Sequence, residues 1–296
     1  MAQRHMVSFL SHCGILFMQV LARVPLVGVR ALGWVMGSVL YWIVWPRRRV
    51  VLINLGLCFA HWPQAKRRQM ARQHFIHFAQ AWLDRGWLWH GSDATVRQRL
   101  KITGDAGAFV DGQATVIFAP HFVGLDAGWT ALTSQVQRHF CTIYSHQSNM
   151  QVDQWVSQGR RRYGRPKLFD RFAGPAPVVK ALRDGELLYL LPDMNYGLQE
   201  SVFVPFYGVQ AATVTSLARL AKLGRARVVP VITRMTREGY EVQVMPAWDD
   251  VPGRDVTKDT ALMNQRLQGY IDTMPEQYFW VHKRFKDRPH GEPSVY

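Results

Sequence analysis

The residues with the clearest chemical potential are His121 and Asp126, at the end of the run Ala114-Thr-Val-Ile-Phe-Ala-Pro-His-Phe-Val-Gly-Leu-Asp126. A buried-type strand stops at Pro120 and delivers His121 to the carboxyl end of a sheet, where ligand sites of open α/β folds gather. Five residues set the two side chains about 140° apart on an ideal helix, so no single helical face presents both. They can meet only if Gly124 lets the chain turn between strand and helix. Asp126 would then fix the imidazole tautomer while the other ring nitrogen takes a proton from an attacking hydroxyl. On this segment alone, a histidine that merely caps the next helix is an equal alternative.

Two further features carry charge in suggestive places. Arg160 opens a run of Arg160, Arg161, Arg162, Arg165, Lys167 and Arg171, more cationic than a solvated helix face requires. Arginine forks match phosphate and carboxylate oxygens in pairs, so Arg160, Arg161 and Arg162 are candidates for substrate binding, with a plain solvated basic face as the alternative. Asp193 follows a strand and Pro192 and precedes Tyr196-Gly197, a loop position that favours a site role over packing, against the alternative of a turn-forming aspartate. His74 and His77 lack a third ligand at a recognisable spacing and read as surface or packed histidines. No phosphate-binding or dinucleotide fingerprint occurs, so neither metal nor cofactor is expected.

The elements that must position these residues alternate. Ala114–Pro120, Cys141–Ser145, Glu186–Leu191, Val202–Pro205, Val228–Thr233 and Tyr240–Met245 have strand character. Helical patterns fall at Asp126–Gln137, Gln151–Tyr163, Val178–Asp184, Thr213–Leu223 and Asp259–Thr273, and earlier between Val50 and Gly91. The expected fold is α/β, a mixed central sheet flanked by helices, preceded by a membrane-associated helical segment.

That segment lies between Met6 and Trp45, where Arg23 and Arg30 are the only charges, and it ends at Pro46 and the triplet Arg47–Arg49. Met6–Ala22 and Ala31–Trp45 are each slightly short of the ~20 apolar residues of a membrane span, and Pro25 would kink a helix through both. One tilted span and one span plus an interfacial helix both fit, with a buried helix pair as the bland alternative. The arginines and Trp34, Tyr41, Trp42 and Trp45 read as a cytoplasmic-side anchor. We therefore divide the chain into an anchor, 1–46, and a catalytic domain, 47–296. The 296 residues carry 36 Lys and Arg against 21 Asp and Glu, a net charge of +15 that favours anionic surfaces. Cys13, Cys58 and Cys141 form no CxxC and suit a reducing compartment.

Several stretches together resemble one family. The H-x4-D spacing of His121 and Asp126 is that of the glycerolipid-type acyltransferase superfamily. Arg48–Phe59, Asp153–Arg160, Leu191–Gly197, Ser201–Gly208 with Ala212-Thr213, and Pro275–Pro289 resemble, in order, the lipid A biosynthesis (lauroyl/myristoyl) acyltransferases of the Gram-negative inner membrane. That resemblance implies direct transfer from an acyl carrier protein thioester to a hydroxyl of a lipid A precursor, and by position it points to His121, Asp126, Arg160 and Asp193. The absence of a G-x-S-x-G elbow, and of any cysteine with an activating neighbour, agrees with general-base chemistry rather than an acyl-enzyme. The family commonly carries Glu where this chain has Asp126, which leaves a lysophospholipid, an ornithine-type aminolipid or another glycolipid open as acceptor. A non-catalytic basic protein that binds membrane or nucleic acid is the reading from another class. No nucleic-acid motif supports it, and no nucleic-acid partner is expected.

Overall fold

A computed structural model describes residues 2–296, with every side chain except those of residues 2–9 and Ala106. Met1, the first residue of the expected anchor, lies outside the described residues. Seven strands form the main sheet: β1 (Leu100–Gly104), β2 (Thr115–Phe118), β3 (Phe140–Tyr144), β4 (Lys167–Asp170), β5 (Leu187–Leu190), β8 (Arg227–Met235) and β9 (Tyr240–Val244), in the order β1-β9-β8-β2-β5-β3-β4. From β8 to β4 all neighbours are parallel. β9 returns antiparallel to β8, and β1 runs parallel to β9, so the sheet is mixed as expected. The remaining two strands, β6 (Ser201–Phe206) and β7 (Val209–Val214), form a separate hairpin. Its turn, Tyr207-Gly208, has positive φ at both residues, the requirement of a two-residue I′ turn.

Residues of the central strands are buried on both faces, which is why they read as continuous apolar runs. Val116, Phe118, Leu188, Leu190 and Val228 join one core, while Ile117, Leu187, Tyr189, Val229 and Val231 join the other. Helices α6 (Leu125–Gln135), α7 (Met150–Arg160), α8 (Ala176–Arg183), α9 (Ser216–Gly224) and α10 (Val256–Asp272) occupy the connections. The helix expected from Thr213 begins at Ser216, because Ala211–Val214 pair with β6. Lys167, read with the basic run, instead opens the edge strand β4.

Ahead of the sheet lie α1 (Ala2–Leu21), α2 (Leu26–Ile43), α3 (Trp45–Cys58), α4 (Gln64–His90) and α5 (Asp93–Arg99). Pro25 breaks the first two helices and stands as the residue before α2. By length and composition α2 alone among the described residues can cross a membrane. It nevertheless packs along α4: Gly33 and Gly37 bring it so close that a Cβ would strike the Gln80 and Ile76 backbone, and Tyr41 meets Phe75 edge to face at 5.8 Å. An ion pair of 3.0 Å joins Arg30 of α2 to buried Asp84 of α4, and Tyr240 and Trp87 also donate to that carboxylate. The outer side of α2 leaves Val27, Trp34, Val35, Val39, Trp42 and Ile43 exposed.

Candidate active site

Ala119 N–H donates to the Leu190 carbonyl at 2.9 Å, so the chain leaves β2 and β5 side by side at the carboxyl edge of the sheet. His121 follows the first strand and Asp193 the second. Adjacent strands lie about 4.8 Å apart, which brings together two residues 72 positions apart in sequence. One Asp193 oxygen lies 2.7 Å from His121 Nδ1, and the other accepts the His121 backbone N–H at 3.0 Å. Asp193 is fully buried, whereas the His121 side chain keeps some exposure. Burial alone would raise the Asp193 carboxyl; the His121 charge and hydrogen bonds outweigh it and hold it below the ordinary aspartate range. With Nδ1 engaged, His121 Nε2 has no protein partner among the described residues and is the nitrogen open to a substrate.

Asp126 stands elsewhere than expected. It sits in the first turn of α6, and its two oxygens are divided between two guanidiniums: Arg85 Nε donates to one at 2.8 Å and Arg160 Nε to the other at 2.9 Å. Burial pushes this carboxyl up, but the charges of Arg160 and Arg85 and their hydrogen bonds hold it below the ordinary range. Gly124 is needed for space rather than for turning freedom. Its φ of −82° is ordinary, but a Cβ there would lie 2.8 Å from a Thr233 methyl and 2.9 Å from the Tyr240 ring. So the H-x4-D spacing delivers both residues to one edge of the sheet, while the group that orients the imidazole is Asp193.

Of the three expected cationic groups, Arg160 alone reaches this cluster. Its position is set from behind by Trp129 Nε1, which donates to the Arg160 carbonyl at 2.8 Å. Arg161 turns to Ser157 and solvent, and Arg162 donates to the carbonyls of Leu88 and Gly91 at the end of α4. Sequence reasoning missed Arg85, which stacks over Trp82 at 4.1 Å while holding Asp126. Its signal was available: Asp84-Arg85 is a charged pair inside the aromatic run Trp82–Trp89. His74 is packed, with Nδ1 at 3.2 Å from the Glu276 carbonyl, and burial lowers it to about 3.

The C-terminal segment closes the site. Val123 N–H donates to Gln277 O and Phe279 N–H to His121 O, so a short antiparallel bridge runs beside the histidine. Phe279 lies against the imidazole, ring centres 6.1 Å apart. His282 Nε2 accepts the Asn195 N–H at 3.0 Å and thereby pins the loop that carries Asp193; burial first, then the His121 charge, lowers it to about 4, which keeps it an acceptor. Buried Asn54 of α3 donates to the carbonyls of Trp280 and His282, both at 2.8 Å. The thiols are poor nucleophiles: burial raises Cys58 far above its usual range and pushes Cys141 up to about 12.

Comparison with known proteins agrees with this architecture. Residues 1–287 match the family described as bacterial lipid A biosynthesis acyltransferase. The lipid A biosynthesis lauroyltransferase of Escherichia coli (strain K12) is 30% identical, over 97% of this chain and 95% of its own length. The palmitoleoyltransferase of lipid A biosynthesis from the same organism is 30% identical over 84% of this chain and 82% of its own. The corresponding myristoyltransferase is 30% identical over 84% and 78%. With a match across nearly the whole chain and a site assembled at the carboxyl edge of its sheet, the protein belongs to the bacterial lipid A biosynthesis acyltransferases.

Proposed function

We propose that this acyltransferase moves a fatty acyl group from an acyl carrier protein thioester to a hydroxyl of a lipid A precursor, at the cytoplasmic face of the inner membrane, with His121 as general base. The observation that carries the reading is the two-point grip of Asp193 on His121, which fixes the ring and leaves Nε2 open. The acceptor O–H gives its proton to Nε2 as its oxygen bonds to the thioester carbonyl carbon. The resulting tetrahedral oxyanion collapses, the C–S bond breaks, and the imidazolium returns the proton to the departing thiolate. Asp193 stabilises the imidazolium throughout.

Asp126 serves a different purpose in this scheme. Two guanidiniums against one carboxylate leave a net positive charge at the first turn of α6, and the carboxylate holds both forks in place for phosphate or other acidic groups of the substrates. The lipid acceptor reaches this edge from the bilayer along the exposed apolar side of α2. No cofactor is required.

The test is transfer by purified wild type and His121→Ala from labelled acyl carrier protein thioesters, with a tetra-acylated lipid A precursor and a lysophospholipid as competing acceptors. Loss of about 10²–10⁴-fold in kcat for transfer to the lipid A precursor is expected. Label on the lysophospholipid alone would overturn the acceptor, and undiminished transfer by His121→Ala would overturn the base.

A further inference from the structure

A cavity of about 660 Å³ opens where the α1–α2 corner meets the end of α4 and the start of α5. Its lining residue on α4, His90, lies five residues beyond Arg85, or ~7.5 Å along the helix axis, and the cavity shares no residue with the His121 site. Arg23 and Arg99 line it, with His90, Ser92 and Thr95. Arg23 has no ion pair or side-chain hydrogen bond among the described residues. Arg99 lies over the Trp87 ring, 5.2 Å from its centre, and its Nη1 is buried without a hydrogen-bond partner. The neighbouring carboxylates are engaged elsewhere: Asp84 by Arg30, Tyr240 and Trp87, and Asp93 by Arg162 and Tyr163. His90 brings no anion either: its ring is neutral, with Nε2 occupied as the acceptor of Trp155 Nε1–H at 2.8 Å. The cavity thus holds two cations with no anion of its own.

Val24 and Pro25 line it where the chain turns, and the two helices that meet at this corner carry exposed apolar side chains. Leu16, Phe17 and Val20 on the last turns of α1, and Val27 on the first turn of α2, are exposed by 59, 46, 57 and 79%. A polar, cationic recess at a helix corner that also carries exposed apolar side chains matches a molecule with an anionic head and hydrocarbon tails. We propose that this cavity is a second lipid site, which seats the phosphate of an anionic phospholipid between Arg23 and Arg99 and lays its acyl chains along the α1–α2 corner. The site binds lipid without turning it over, since no group in it can act as an oriented base.

Native mass spectrometry of the full chain, released from nanodiscs of mixed phosphatidylglycerol and phosphatidylcholine, tests this. Wild type is expected to retain phosphatidylglycerol in preference to phosphatidylcholine. Arg23→Gln, at an exposed position that leaves the core untouched, and Arg99→Gln should each reduce that retention at least about tenfold, as loss of a charge-assisted contact to phosphate implies. Equal retention of the two lipids, or undiminished phosphatidylglycerol in both variants, would overturn the proposal. So would displacement of the lipid by inorganic phosphate at equal concentration, because the apolar α1–α2 corner would then contribute nothing.

Discussion

Asp126 and Asp193 are both buried aspartates at the carboxyl edge of the sheet, and both are held in their charged form, yet they do opposite things with that charge. Asp193 meets one imidazole and one backbone N–H, and leaves one ring nitrogen of His121 without a protein partner among the described residues. Asp126 meets two guanidiniums, and spends all of its acceptor capacity on holding them. The first lies on a loop set by the strand beside β2, the second on a helix one turn beyond it. A carboxylate's role here follows from which cation the fold brings to it, not from its distance in sequence to the histidine.

The largest effect that bears on this contrast is on turnover. Asp193→Asn should lower kcat by about 10²–10⁴-fold with KM little changed, because the tautomer and the imidazolium lose their support. Steady-state transfer kinetics check it. Were Asp126→Asn to match that loss in kcat at unchanged KM, the division of labour would collapse.

Asp126→Ala should act on stability instead. Removing the shared partner leaves two facing guanidiniums partly buried, a cost of about 3 kcal/mol that denaturant unfolding in detergent would read. The charge also predicts a pH dependence with a definite sign. The Asp126 carboxyl is depressed below the ordinary aspartate value of 3.8, so its contribution is full above that value and is lost as pH falls through the lower folded-state value. Melting temperature should therefore fall less in Asp126→Asn than in wild type between about pH 5 and about pH 2.

The smallest effect separates neighbours in the basic run. Arg160→Gln should raise KM for the anionic substrate, whereas Arg161→Gln, whose side chain hydrogen-bonds Ser157 alone among the described residues, should stay within about 0.5 kcal/mol of wild type in both stability and transition-state binding. Equal penalties for the two would show that the run acts as a diffuse field.

Much of the frame was legible. The apolar run before Pro120 marked β2 and placed His121 at its end, because a strand buried on both faces has no polar alternation to disguise it. Strand β1 and edge strand β4 were missed, since Lys101 and Lys167 break their apolar pattern and Leu100, Leu168 and Phe169 are too few to show a period. The end of β7, Thr213-Val214, reads as the start of the following helix because a short apolar stretch suits either state, and only its pairing with β6 decides. Arg85 was passed over because its partner, Asp126, is 41 residues away.

By itself the sequence determined the α/β alternation, the break at Pro25, the apolar surface of α2 and the delivery of His121 and Asp126 to the same edge. Those follow from local causes: periodicity, side-chain polarity and backbone restriction act over a few residues. Only the tertiary structure decided that Asp193 orients His121, that Arg85 joins Arg160 on Asp126, and that α2 is tied to α4 through Arg30 and Asp84. Those pairings depend on which strands lie side by side and which helix crosses the edge. Coulomb and hydrogen-bond forces choose partners by distance in space, and residues far apart in sequence become neighbours only when the sheet is assembled.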